Sequence, residues 1–376
     1  MDICVILTYR CNSKCSMCYV WQNPSKRNEE ISLDTLRKIP SGIDYLNLTG
    51  GEPTLRNDLV EIVDLLYPKA MTLEISSNGL HAERLEPIIK KYPCTKIRFS
   101  LEGCESTNNK IRGEKDGYKK KVDGLLRLKK IGGKDLGFSM VIQDDNAGEA
   151  VELFRFAKKH GFELATSTLH NGFQFHKSDN TPYNRKETAR HIGELITEML
   201  RGYDVKNLFR AYLNLGLMAK VLGNKRILKC SAATDFVFID PWSDVYACNV
   251  RPDLKIGNLE RQSWNELWGS HKIHQIKNKV HNCVNNCWMV GSAKTAMRHP
   301  KYAKLPKAGP MLWVIYNKLR IMLGGRIKFE QYINFEDVCT DKKITRRMFF
   351  LDQPAKRTVQ SKCDTHYDMF GEFINK

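Results

Sequence analysis

Short apolar runs of strand length alternate with helical patterns over about the first 200 residues of the chain. Apolar side chains recur every three or four positions in 57–67, 118–131 and 149–160, which predicts helices there. Six apolar-rich runs bounded by turn residues predict strands, at 4–9, 45–49, 72–76, 96–101, 136–142 and 162–168. Six successive strand–helix units predict an α/β fold, a curved, partial (β/α)6 TIM-like barrel whose parallel strands are covered by helices.

The pattern changes after this repeat. Residues 181–224 predict two helices, 236–247 a β-hairpin, and 263–280 one helix. Proline, glycine and basic residues become frequent further on. We therefore divide the chain into a core barrel (1–204), a linker helix with a smaller α+β module (205–299) and a basic C-terminal extension (300–376).

One stretch of that extension, residues 311–323, is apolar with Lys318 and Arg320 interleaved. A helix packed against the core is the favoured interpretation. A helix lying on a membrane surface is the alternative, since such helices combine an apolar face with basic residues.

Composition narrows the class of protein. Hydrophobic content of 42% and charged content of 27% are typical of a soluble globular protein. We find neither a signal peptide nor a run of about 20 apolar residues, so we expect a cytoplasmic protein whose thiols stay reduced. Under that expectation the 12 cysteines favour metal binding or redox chemistry over disulfides.

The formal net charge of +18 indicates an anionic partner, either a phosphorylated substrate, nucleic acid or an acidic membrane surface. Residues 301–376 contain 15 basic and 8 acidic side chains, so much of the excess lies near the C-terminus. A solvated basic face without a partner explains the same counts, and the charge alone does not choose between these interpretations.

Cysteines follow the first predicted strand in a C-x3-C-x2-C motif, made by Cys11, Cys15 and Cys18. Three thiolates hold three irons of a 4Fe–4S cluster and leave the fourth iron open to bind a substrate. A zinc ion would need a further ligand to complete its tetrahedron. His81 is the residue that this alternative would use.

This motif, placed on a loop after the first strand of a partial barrel, resembles the radical SAM superfamily. The resemblance implies that the open iron chelates S-adenosylmethionine (SAM), and that one electron cleaves SAM to a 5′-deoxyadenosyl radical. An aromatic residue usually precedes the third cysteine in that family, whereas this chain has Met17 there and Tyr19 after the cysteine. The resemblance covers about residues 1–200.

Further residues match SAM-binding positions of the family. Thr49-Gly50-Gly51-Glu52-Pro53 resembles its glycine-rich motif after the second strand, where the carboxylate accepts a hydrogen bond from the SAM ammonium. A surface arginine is the alternative interpretation of Arg112, and Glu102 stands where aspartate is more frequent. The resemblance thus implies these cofactor-binding residues: Tyr19, Gly50, Gly51, Glu52, Asn78, Ser100 and Arg112.

A second cysteine group comprises Cys230, Cys248, Cys283 and Cys287. Its spacing resembles the twitch module, a shortened SPASM domain that holds one auxiliary 4Fe–4S cluster. Four thiolates would ligate that cluster fully. The last pair is C-x3-C where C-x2-C is more frequent, and four unrelated buried thiols are the alternative.

His170 and Asn171 follow the sixth predicted strand, at the rim where substrate would lie, and are the candidate catalytic residues. Binding substrate or moving protons is one interpretation; capping the loop is the other.

The resemblance implies an oxidoreductase-like enzyme that abstracts hydrogen from a small substrate, anionic or carbohydrate-like, phosphorylated or lipid-linked, and oxidises or epimerises it. A one-electron donor such as flavodoxin or ferredoxin would serve it, and nucleic acid is disfavoured as a partner. A peptide-modifying maturase is the alternative. A non-catalytic iron–sulfur protein for electron transfer or redox sensing is another, although it would not need Glu52 or Asn78.

Overall fold

The computed structural model describes residues 1–302 and 309–335. Within these residues a single sheet has nine strands in the order β6-β5-β4-β3-β2-β1-β7-β8-β9. The strands are β1 (Asp2–Ile6), β2 (Tyr45–Thr49), β3 (Leu73–Ser77), β4 (Lys96–Ser100), β5 (Asp135–Ile142), β6 (Glu163–Thr168), β7 (Phe236–Ile239), β8 (Asp244–Tyr246) and β9 (Lys255–Asn258).

Helices cover this sheet and continue beyond it. They are α1 (Leu33–Arg37), α2 (Leu59–Leu66), α3 (Glu86–Lys91), α4 (Glu105–Arg112), α5 (Gly117–Lys130), α6 (Ala150–Lys159), α7 (Arg185–Arg201), α8 (Val205–Val221), α9 (Trp264–Gly269), α10 (His271–His281), α11 (Val290–Arg298) and α12 (Pro310–Met322).

Strands β1 to β6 are parallel and adjacent in chain order, which confirms the predicted partial barrel. The predicted hairpin also forms, as β7 and β8. The hydrophobic pattern did not predict how it docks: β7 pairs in parallel with the free side of β1, and β9 extends the sheet by a further antiparallel strand. The second half of the chain therefore continues the barrel sheet.

The single helix predicted over 263–280 is wrong, because two helices occupy that stretch. Ser263 begins α9 with a capping box to Glu266. Ser270 then adopts an extended conformation (φ −74°, ψ 147°), and its hydroxyl donates to the carbonyl of Leu267 at 2.8 Å. This side-chain bond competes with the helical ladder and separates α9 from α10.

The two faces of the parallel strands differ in chemistry. Along β2, Leu46 and Leu48 are fully buried in the main core, whereas Asn47 between them is half-buried. The Asn47 amide donates to Glu74 Oε1 at 2.8 Å and to Ser76 Oγ at 2.9 Å on β3. One face is thus packed under helices, and the other is polar and partly open.

Charged side chains occupy this polar face near the amino ends of β4 to β6. Arg98, which is buried, donates to Asp135 Oδ1 at 2.5 Å and to Glu163 Oε2 at 2.7 Å. Burial alone would raise the pKa of both carboxyls. The neighbouring Arg98 nevertheless lowers the pKa of Asp135 to about 2. Arg210 and Arg98 together lower the pKa of Glu163 to about 2.

Arg98→Met is expected to lower the free energy of unfolding by about 3–5 kcal/mol, because it removes the buried cation from two carboxylates. Since both pKa values lie below their ordinary values, the stabilisation is complete above about pH 4.5 and is lost as the pH falls towards 2. Urea unfolding at neutral and acidic pH measures both effects. Arg37→Met, which breaks an exposed pair with Asp34, should cost less than about 1 kcal/mol; equal losses in the two variants would contradict the assignment.

The last described helix packs on the barrel's helical layer. Trp313 of α12 is buried and meets the Tyr212 ring edge-on at 5.5 Å between centroids. Lys318 donates to the carbonyls of Leu200 and Gly202 at 3.0 and 2.6 Å. The stretch 311–323 thus lies in and just after helix α12, which is anchored to the core through one face. Residues 303–308 and 336–376 of the proposed extension lie outside the described residues, as do Cys339 and Cys363.

Candidate functional site

Four residues separate β1 from the C-x3-C-x2-C loop, which lies against Ile111 and Arg112 at the end of α4. The amides of Lys14 and Ser16 donate to the carbonyls of Arg112 and Ile111 at 3.0 and 2.9 Å. Gly113 has φ +60°, and a Cβ there would come within 2.8 Å of the Lys14 carbonyl oxygen. A glycine at this position therefore allows the cysteine loop to dock on the end of α4.

The three thiols of this loop lie close enough to influence one another. Burial raises the pKa of Cys11 to about 12 and that of Cys18 to about 11, and the neighbouring Cys15 thiol adds to both shifts. The buried Arg112 guanidinium acts in the opposite direction on all three thiols. Lys121 also favours the thiolate form of Cys15, and Lys177 that of Cys18.

A network of buried charged side chains supports the cysteine loop, and no sequence motif indicated it. Arg112 donates to Glu102 Oε1 at 2.9 Å and to Glu114 Oε1 at 3.2 Å. Glu114 also accepts from Ser13 Oγ at 2.5 Å and forms an ion pair with the buried Lys121. Only the spacing of opposite charges across 102–121 hinted at it. The cysteine loop is thus tied to the barrel by an ionic network as well as by backbone bonds.

The two predicted SAM-site glycines are needed by the chain's own backbone. A Cβ at Gly50 would come within 2.5 Å of the Thr8 carbonyl oxygen, and one at Gly51 within 2.3 Å of the Arg10 carbonyl oxygen. The amides of Gly51 and Glu52 donate to those same two carbonyls at 2.7 and 2.8 Å. These contacts hold the loop after β2 against the segment that leads into Cys11.

Glu52 is fully buried and connects this loop to the end of β3. Its Oε1 accepts from the Thr54 amide at 2.9 Å, the Thr54 hydroxyl at 2.7 Å and the Ser77 hydroxyl at 2.9 Å. Its Oε2 accepts from the Asn78 amide at 2.5 Å. The Asn78 side chain then donates to Asn12 Oδ1 in the cysteine loop at 2.6 Å. Glu52 and Asn78 therefore lie beside the start of the cysteine loop, near Cys11 and Asn12. Their SAM-binding roles stay predictions.

The other predicted cofactor residues lie around the same rim. Ser100 ends β4 on the partly open face. Tyr19 follows Cys18, and its ring lies 3.9 Å from Lys177 Nζ. Its backbone amide donates to the carbonyl of Phe175 at 2.9 Å. The loop after β6 is thereby joined to the cysteine loop, and the SAM-binding roles of Ser100, Tyr19 and Arg112 stay predictions.

The thiols of the second cysteine group also lie near one another in the fold, although the four cysteines are spread over 58 positions of the sequence, from 230 to 287. Burial raises the pKa of Cys248 to about 12, and the Cys287 and Cys230 thiols raise it further. Burial, then Cys230 and Cys283, raise the pKa of Cys287. Each of the four thiols thus has another within electrostatic reach.

Helix α8 links this group to the barrel rim. Trp288, directly after Cys287, is buried and donates to the carbonyl of Leu213 at 2.9 Å. A Cβ at Gly216 would come within 2.1 Å of the Trp288 ring, so glycine is required there. Lys220, a residue that no sequence pattern singled out, donates to the Leu169 carbonyl at 2.9 Å, and burial lowers its pKa to about 7.

The candidate catalytic pair occupies different environments. His170 Nδ1 lies 2.9 Å from the Thr168 carbonyl oxygen, and no described residue bonds to its buried Nε2. Burial, with Lys220 nearby, lowers its pKa to about 3, so the ring is neutral. The side chain of Asn171 instead makes two hydrogen bonds to the backbone of Asn180. Its Oδ1 accepts from the Asn180 amide at 2.9 Å, and its Nδ2 donates to the Asn180 carbonyl at 3.0 Å. Its amide closes the 171–180 loop, and a catalytic role for it stays a prediction.

Comparison with known families agrees with this arrangement. Residues 5–157 match the radical SAM superfamily, and residues 230–289 match the SPASM iron–sulfur cluster-binding domain. The chain thus contains a radical SAM domain over residues 5–157 and a SPASM-type auxiliary module over residues 230–289. Its cofactors are accordingly SAM and a 4Fe–4S cluster in the first domain, with auxiliary iron–sulfur binding in the second.

Relatives with assigned activities are diverse. A probable GTP 3′,8-cyclase of Sulfurisphaera tokodaii is 29% identical over 188 residues, covering 47% of this chain and 60% of that protein. The mycofactocin maturase MftC of Mycolicibacterium smegmatis is 26% identical over 253 residues, covering 64% of this chain and 62% of that protein. The matched region therefore spans less than two thirds of these curated relatives.

Solved structures share the fold. The chain of anSMEcpe with bound AdoMet and the Cp18Cys peptide superposes with a TM-score of 0.57 at 15% identity, covering 86% of this chain and 96% of that chain. Streptococcus suis SuiB bound to the precursor peptide SuiA gives a TM-score of 0.54 at 15% identity, covering 73% and 65% of the two chains. At this identity the likeness concerns the fold alone.

The thiol sets fit the groups that these domains bind. Among residues 1–302 and 309–335, no three His, Cys, Asp or Glu side chains form a site for a single metal ion. A 4Fe–4S cluster does not need such a point of convergence, because each thiolate binds a different iron. Cys15 acts electrostatically on Cys11 and Cys18, and Cys287 is within electrostatic reach of Cys230, Cys248 and Cys283. A set of three thiols is compatible with a cluster that keeps one iron open, and a set of four with a fully ligated cluster.

Proposed function

We propose that this protein abstracts a hydrogen atom from a small hydroxylated substrate, carbohydrate-like and in some form anionic, and that it oxidises or epimerises that substrate. The observation that carries the proposal is the polar, partly open face of strands β2 to β6. There Asn47, Ser76, Ser100, Ser139 and Ser167 are half-buried rather than packed. Hydroxyl and amide groups on a partly open face suit a ligand with many hydroxyls.

In this proposal Cys11, Cys15 and Cys18 hold the SAM cluster, and the four later cysteines hold the auxiliary one. When bound, the first cluster would supply the electron for reductive cleavage of SAM, and the second would take up the electron that oxidation of the substrate releases. Flavodoxin or ferredoxin is the class of donor that suits such a site.

The chain's own residues position the reactants. Glu52 is fixed by donors from Thr54, Ser77 and Asn78, so its carboxylate is oriented before SAM arrives. His170 presents a neutral Nε2 lone pair at the end of β6. With a pKa of about 3 it is a weak base, so its role is to accept a hydrogen bond from a substrate hydroxyl.

His170→Ala is expected to lower kcat/KM for substrate up to about tenfold, because one hydrogen bond to the substrate is lost. SAM cleavage without substrate should stay unchanged. The exposed His274→Ala variant is the matched control. Perdeuterated sugar phosphates, nucleotide sugars and synthetic peptides provide the probes, and mass spectrometry of 5′-deoxyadenosine reads out deuterium transfer.

Deuterium from a sugar derivative supports the proposal, whereas transfer from peptides alone contradicts it. Peptide modification is the second candidate, favoured by the similarity to the MftC maturase over 64% of this chain. A protein that binds both clusters and never cleaves SAM would instead be an electron carrier.

A further inference from the structure

We propose that α12 docks the protein on an anionic lipid surface, a property that goes beyond the proposed chemistry and does not depend on the identity of the substrate. The face of α12 opposite the core carries a row of apolar side chains, each 50–63% exposed. This exposed α12 face consists of Met311, Leu312, Ile315, Tyr316, Leu319 and Met322.

The spacing of these residues makes one continuous stripe. They recur at intervals of three or four positions, so they lie on one side of the helix. The opposite side is fixed to the protein by Trp313, Val314 and Asn317, which are buried. The stripe is therefore held outward by a rigid anchor, and exposed apolar patches of this kind mark interaction surfaces.

The apolar surface extends past the helix itself. Leu323, directly after α12, is 88% exposed, and Tyr203 in the turn between α7 and α8 is 77% exposed. Lys318 of α12 lies 4.1 Å from the Tyr203 ring centroid, so this tyrosine borders the helix. An aromatic ring and a lysine at the margin of an apolar stripe are typical of interfacial helices.

Charge selects the lipid surface among the possible occupants. Residues 309–335 carry four basic side chains and one acidic side chain, Glu330. Arg326 and Lys328 are exposed in the segment that follows α12, and Arg320 bonds the Tyr316 hydroxyl beside the stripe. Basic residues beside an apolar face that inserts into a membrane are attracted to anionic headgroups.

A second copy of the chain fits this surface less well, because two-fold pairing of α12 would oppose two regions of like positive charge. Crossing of the bilayer is not implied either: α12 has 13 residues, and no helix in the described parts of the chain is long and apolar enough to span a membrane. The helix would lie in the plane of the interface, with its stripe among the acyl chains.

Flotation of the full-length, cluster-loaded protein with vesicles tests this. Wild type should float with phosphatidylcholine–phosphatidylglycerol vesicles and much less with phosphatidylcholine alone. The double change Ile315→Asp with Leu319→Asp should reduce partitioning roughly a hundredfold, because two apolar contacts are lost and two like charges face the lipid. Arg326→Ala with Lys328→Ala should reduce it about 30-fold, and added salt should mimic that loss.

Met71→Asp is the matched control, since Met71 is 83% exposed on a loop outside this surface and should leave flotation unchanged. All variants should keep wild-type iron content and SAM cleavage, which separates lipid docking from the proposed chemistry. Wild type that stays with the unbound fraction overturns the proposal. So does light scattering that finds a dimer which the Ile315→Asp, Leu319→Asp variant disrupts, or vesicle binding that appears only after removal of residues 336–376.

Discussion

Replacing Cys11, Cys15 and Cys18 together by alanine is expected to abolish reductive cleavage of SAM. Anaerobically reconstituted wild type should contain about eight irons in two 4Fe–4S clusters, and the triple variant about four. The reason is that SAM must bind the iron which these three thiolates leave without a protein ligand. Iron analysis and chromatography of 5′-deoxyadenosine measure the two effects.

The loss should be specific to these cysteines. Cys94→Ala changes an exposed thiol far along the chain from both groups and should retain full iron content and cleavage. Persistent SAM cleavage by the triple variant would refute the assignment of the first cluster. A triple variant that loses all of its iron would instead mean that the second group of thiols does not assemble a cluster independently.

Glu52→Ala is expected to have the second largest effect, on stability as well as on SAM binding. It removes the acceptor from four donors, namely the Thr54 amide and hydroxyl, the Ser77 hydroxyl and the Asn78 amide. A hydrogen bond to a charged group contributes about 1.5–3 kcal/mol, so the free energy of unfolding should fall by at least about 3 kcal/mol. Denaturant unfolding and calorimetric titration with SAM give the two readouts.

Glu52→Gln distinguishes the two roles, because it keeps the shape and one acceptor oxygen. It should lose less stability than Glu52→Ala while still weakening SAM binding, since the amide carries no negative charge for the SAM ammonium. Glu61→Ala, an exposed carboxylate on α2, is the control for removal of a glutamate. Wild-type stability of Glu52→Ala would show that its four buried donors find other partners.

The first six strands could be predicted because each combines a local apolar pattern with turn residues at its ends. Strand β2 was predicted at its exact limits, 45–49, since Gly50 directly follows an apolar run. The pairing of β7 with β1 could not be predicted, because it joins residues more than 230 positions apart and leaves no periodic trace in either strand.

The candidate site was predictable where the chemistry is local in sequence. The cysteine loop is a short motif, and Glu52 follows a strand that must end at the same rim. The ionic support from Glu114 and Lys121 was indicated only by the spacing of opposite charges. Lys121 lies on helix α5 and Glu114 in the connection before it, and charged side chains at such positions ordinarily face solvent. Lys220 was missed for a different reason: its helix, α8, is buried on every side from residue 211 to its end, so amphipathic periodicity gives no signal.

The position of β7 has a consequence for how the chain is made. Strand β1 is synthesised well before one of its two neighbours, because β7 begins at Phe236, more than 230 residues later in the chain. Until then the backbone groups of Asp2 to Val5 on that side have no strand to pair with, and such open edges recruit strands from other chains. Strand β7, in the cysteine-bearing second module, thus covers the free edge of β1. For the same reason, shortened versions that end before residue 236 should be handled as aggregation-prone during expression.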